Sequence, residues 1–235
     1  MAADPRPGDA IRRLVESRVS DSARSWFSGA LAQLDLGFNS AHFFATFAAA
    51  GRRVGTAPLG RTVAAIAEHE NLADDLGRAP WGMDELARAT LLLRAAEALP
   101  DSAAVELVSE CFSRGDNRER QAVLRALPLL PEPRRFLPTA IEACRSSVQP
   151  VFEAIACENP YPARHFPQPA FNQMVLKAVF TGVAVGRIAG LDSRLDRDLA
   201  RMAADYAQER RAAGRPVPPD LDLLMSGAGG AHEAV

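Results

Sequence analysis

Lysine is nearly missing from this chain. Of its 27 lysine and arginine residues, Lys177 alone is a lysine. A GC-rich genome writes positive charge as arginine and small apolar residues as alanine, so the arginine count alone is no sign of phosphate or carboxylate binding. A basic excess is also missing. With a formal net charge of -2, nothing is left over to drive nucleic-acid binding by counterion release. Cysteine is scarce. Cys111, Cys144 and Cys157 are an odd number in 235 residues, which does not look like a disulfide framework, and a reducing cytoplasm is the simpler reading. Aromatic residues make up 6%, and alanine and leucine dominate, a balance that disfavours sheet. The longest apolar run, residues 174–190, is interrupted by Lys177 and Arg187 and is too short to cross a bilayer. The first nine residues hold two prolines and two acids, which is not the make-up of a signal peptide. The sequence has no H-x-x-x-H or C-x-x-C spacing, no P-loop, no dinucleotide fingerprint and no nucleophile elbow. No metal and no cofactor are therefore expected.

What is present is helical periodicity. A hydrophobic fraction of 48% over 235 residues is enough to bury a core. Ile11, Leu14, Val15 and Val19 recur at helical spacing, as do Trp26, Phe27, Ala30, Leu31 and Leu34. Asn39 is positioned to cap a third helix carrying Phe43, Phe44 and Phe47, with Gly51 as its expected end. Residues 52–82 are broken by glycine and proline. Helices are expected at about 84–99 and 102–114. Another follows the capping-box spacing Asp116-x-x-Glu119 and ends near Pro128, and its partner spans 133–147. Ala98-Leu99-Pro100 recurs as Ala126-Leu127-Pro128. The expected fold is all-α, with stacked antiparallel helix pairs forming a HEAT-like α-solenoid and plain bundling as the alternative. The expected organisation is a single helical domain over 9–225 between disordered ends at 1–8 and 226–235.

After a helix over 148–157 comes a segment with Pro160, Pro162, Pro167 and Pro169, read as a stiff, non-helical loop. It presents Glu158, Tyr161 and His165. The next helix carries Asn172, Gln173 and Lys177 and is apolar around most of its circumference, apart from a narrow stripe of small and polar residues. Two readings of Lys177 stay open: a snorkelling surface residue, or a desolvated ammonium beside a ligand. A last helix is expected over about 196–213.

Four blocks in the same order, Gly115–Arg120, Phe152–Pro162, Phe171–Lys177 and Glu209–Arg215, resemble the EboA family over roughly residues 80–225. The resemblance implies a helical-repeat protein encoded in bacterial clusters of secondary metabolism and associated with moving prenylated or aromatic precursors. It implies no catalytic residue. Two functions are therefore carried forward. The first is a cytoplasmic scaffold or carrier, without a transmembrane segment. It would hold a small hydrophobic metabolite, or other proteins of the same cluster, in a groove formed by the 171–184 helix and the proline-rich loop. Glu158, Tyr161, Asn172, Gln173 and Lys177 would contact the ligand there, and Lys177 would pair with an acidic group or with Glu158. The second is a metal-independent enzyme using His165 and Lys177 in acid/base roles. A closed pocket shared by Lys177 and His165 would favour the enzyme, and an open groove the carrier.

Overall fold

The computed structural model describes residues 7–59, 76 and 78–226, and these form twelve α-helices and no strand. In chain order they are α1 (Pro7–Arg18), α2 (Asp21–Leu36), α3 (Ser40–Val54), α4 (Met83–Ala98), α5 (Asp101–Arg114) and α6 (Asn117–Ala126). There follow α7 (Leu137–Ala143), α8 (Gln149–Ala156), α9 (Tyr161–His165), α10 (Gln168–Thr181), α11 (Arg197–Ala212) and α12 (Asp220–Ser226). The expected terminal disorder at 1–6 and 227–235 lies outside the described residues, but Pro7, Gly8 and Ser226 are helical.

Side-chain caps set several helix starts. Asn39 accepts from the His42 amide at 2.9 Å. Asp116 accepts from Glu119 N, and Glu119 reaches back to Asp116 N, each at 2.8 Å. Each cap satisfies amides that the first turn leaves without partners. Two expectations need correcting. Gly51 does not end α3. The helix runs on to Val54 and stops before Gly55, which has φ 82°, a conformation that glycine adopts without steric cost. The proline-rich segment is not free of helix, because Tyr161–His165 forms α9 with Pro162 in its first turn. Proline lacks only an amide that the first turn would leave unbonded anyway, so these prolines begin helices rather than forbid them.

The core centres on α4, in which every residue from Met83 to Leu93 is buried. It packs on α1, α2, α3, α5 and α6. A helix buried on all sides belongs at the centre of a fold rather than on its surface. From there α6 packs on α8, α8 on α10, α10 on α11, and α11 on α12. Helices α3, α5 and α7 lie against α4, α6 and α8 respectively. Where helices of the α3, α5, α7 and α10 series stand apart, clefts open between them.

Candidate functional site

The first cleft, about 500 Å³, lies between α3 and α5, with Phe44, Phe47 and Ala48 facing Glu110, Cys111 and Arg114. The second, about 580 Å³, lies between α5 and α7, where Phe112 and Ser113 face Thr139 and Glu142. The third, about 370 Å³, lies between α7 and α10 and is lined by Ile141, Cys144, Phe166, Gln173, Met174 and Lys177. Arg145 borders both the second and the third. The three therefore form a series, each separated from the next by one helix.

Lys177 and Gln173 share the third cleft. The Lys177 ammonium donates to the carbonyls of Cys144 and Ser146 at 2.5 and 2.6 Å. It also sits 4.7 Å from the centroid of the Phe152 ring. It thus satisfies carbonyls at the C-terminal end of α7, where the helix dipole favours a cation. Burial pulls its pKa below the ordinary lysine range. Burial also pushes the Cys144 thiol up to about 12, partly offset by the Lys177 charge.

The other expected site residues are placed elsewhere. Glu158 does not pair with Lys177. Its carboxylate takes the Arg187 guanidinium in two contacts, at 2.7 and 3.0 Å. Its amide bonds the Arg187 carbonyl at 2.8 Å. That double tie holds Glu158 in a left-handed conformation, φ 50°, which costs a residue with a side chain some strain. Tyr161 is fully buried and donates its hydroxyl to the Pro133 carbonyl at 2.7 Å. Burial raises its pKa. Asn172 is buried, donating to Asp196 at 3.1 Å and accepting from Gln168 at 2.9 Å. His165 packs against the Tyr161 ring at 4.7 Å and its Nδ1 is buried without a hydrogen-bond partner. Burial lowers its pKa, and the Arg134 and Arg164 charges add to this. Of the six residues, only Lys177 and Gln173 line one cleft. Cys157 is buried and its thiol is pushed up to about 11, so it is not a thiolate at neutral pH.

An ionic cluster beside the first cleft went unnoticed in the sequence. Asp84 is fully buried and accepts from Arg88 at 2.6 Å and from Arg118 at 2.9 and 2.5 Å. Arg88 also donates to the Phe47 carbonyl at 3.0 Å. Next to it, Glu85 takes Arg125 at 2.5 Å and the Gly82 amide at 2.7 Å. Burial alone would raise the Asp84 carboxyl, but Arg118 and Arg88 outweigh it and hold the pKa below the ordinary range. A side chain at Gly82 would press on Arg118 and Asp84, each 3.0 Å from its Cβ. The one available signal was Arg118, an arginine in the Asp116–Arg120 run with no capping role to explain it. Its neighbour Arg120 donates to the Phe112 and Ser113 carbonyls, at 3.0 and 3.1 Å, at the end of α5.

Among the described residues no three His, Cys, Asp or Glu side chains converge as metal ligands would. Nor is any described helix long and apolar enough to cross a membrane. The family model described as "Metabolite traffic protein EboA" matches residues 8–226. The chain belongs to the EboA family. The EboA match takes in residues 8–80 as well, and with them α3 and one wall of the first cleft. The sequence blocks had tied only residues 80–225 to the family. No curated protein and no solved structure matches the chain.

Proposed function

We propose that the chain is a helical carrier of bacterial secondary metabolism, working in the cytoplasm. It takes a small hydrophobic metabolite, aromatic or terpenoid, into the cleft between α3 and α5. The family description supports traffic of a metabolite. The observation that carries the choice of cleft is the pair Phe44 and Phe47, one turn apart on α3, lining an open space of about 500 Å³. Binding sites for small organic molecules are concave and mostly apolar, with a few polar groups that orient the ligand. Three unpaired cysteines fit a reducing compartment. The succession α4, α6, α8 backed by α3, α5, α7 supports a HEAT-like stack with grooves along one layer. Other proteins of the same cluster are expected to receive the ligand.

The carrier is favoured over the acid/base enzyme because the third cleft is open and His165 is not part of its lining. Gln173 and the outer edge of Lys177 remain available there for a second, weaker ligand contact. Filling the first cleft tests the proposal. Ala48 is exposed and lines that cleft, whereas Ala45 is exposed and does not. Ala48→Trp is expected to abolish binding of the hydrophobic fluorophore N-phenyl-1-naphthylamine, and Ala45→Trp to leave it unchanged. Equal binding by both variants would exclude this cleft.

A further inference from the structure

Resting on that cleft assignment, we infer that its ligand carries a basic nitrogen: the α3–α5 cleft is a site for an aromatic or terpenoid ammonium ion. The geometry of Arg114 points to this. Its guanidinium stands over the Phe44 ring, 5.7 Å from the centroid, and is ion-paired with Glu110 one turn earlier. An aromatic face backed by a carboxylate is an arrangement that attracts organic cations. Here a side chain of the protein already fills it. Arg114 is also the group best able to leave, since 70% of its side chain is exposed and a salt bridge at that exposure is weak.

A second carboxylate faces the same space. Glu119 spends Oε2 on the Asp116 amide. Its Oε1 accepts no hydrogen bond from the described residues and lies 3.9 Å from Arg88, beyond hydrogen-bond range. Arg88 is in turn occupied by Asp84 and the Phe47 carbonyl. The cleft therefore offers the Phe44 ring, an edge of the largely buried Phe47, two carboxylates and one displaceable guanidinium. An anionic ligand would find one guanidinium, Arg114, already paired with Glu110, and would face the carboxylates of Glu110 and Glu119 beside it. A neutral one would leave the Glu110–Arg114 pair undisturbed and gain only from the rings.

The test displaces N-phenyl-1-naphthylamine with three matched probes at low salt: 1-naphthylmethylamine, 1-naphthylmethanol and 1-naphthoate. The ammonium is expected to compete about tenfold better than the alcohol, as an aromatic–carboxylate site for cations implies, and the carboxylate worst. Glu110→Gln should remove that advantage. Arg114→Gln, which frees both Phe44 and Glu110, should strengthen ammonium binding several-fold. Equal competition by ammonium and alcohol would overturn the inference, as would an Arg114→Gln protein that binds the ammonium no better. In either case the cleft assignment stands as long as Ala48→Trp still blocks the fluorophore. A fluorophore insensitive to Ala48→Trp removes the assignment itself.

Discussion

Lys177 shows how far a single residue can be read from sequence. Its rarity and its apolar surroundings singled it out but left a snorkelling residue and a desolvated ammonium both open; in the fold it is half-buried, and burial pulls its pKa down. Its partners were not legible, because they are backbone carbonyls at Cys144 and Ser146, more than thirty residues away. Side chain-to-backbone bonds leave no complementary residue type to find. With both carbonyls satisfied by it, Lys177→Met should lower stability by about 2 kcal/mol in urea denaturation while fluorophore binding in the first cleft is kept. Unchanged stability with lost binding would return the lysine to a ligand role. Asp84 is the converse case, a residue whose importance the sequence hid. Its acidic position in the first turn of α4 reads as dipole compensation, yet it anchors two guanidiniums, the buried Arg88 and the half-exposed Arg118. Asp84→Asn should cost about 3–5 kcal/mol, the price of leaving buried charge unpaired. The pH dependence has a definite sign. With the folded pKa depressed, the Asp84 contribution is complete above the unfolded value near 3.9 and is lost as pH falls towards the folded one. The variant should therefore lose less stability than the parent below about pH 4, measured by fluorescence-monitored urea melts.

At the scale of elements, helices announced by local chemistry were legible and those defined by distant contacts were not. The Asp116–Glu119 box placed the start of α6 correctly because both bonds lie within four residues. Asp116→Ala is expected to cost about 1 kcal/mol and to raise amide exchange in the first turn of α6. Full protection there would show that packing on α4 and α5 holds the turn without its cap. By contrast, α9 was hidden by its prolines. It is held from outside by Arg194, which donates to the Phe166 carbonyl at 2.8 Å and stacks over Phe171. Arg120 treats the end of α5 in the same way, as Lys177 does α7. In these three cases a cation from a later element finishes an earlier helix. The Ala-Leu-Pro echo marks the ends of both α4 and α6, but α5 follows at once while α7 waits for the short turn Pro133–Phe136. The echoed tripeptide thus falls at two helix ends, but the connections that follow it differ.

For the whole molecule, helical class and family could be read from spacing and sequence blocks, whereas the cleft could not. Its two walls come from α3 and α5, some seventy residues apart, and the phenylalanines that line it look in sequence like ordinary core. The sequence instead pointed to α10 and the segment before it, where most of the marked side chains prove to be bonded within the fold. Hydrogen exchange with and without saturating N-phenyl-1-naphthylamine decides between the two places. The account predicts protection concentrated in residues 40–48 and 110–119, with none added at 158–177. Protection confined to 158–177, with α3 and α5 unchanged, would contradict it and move the site back to the helix of Lys177.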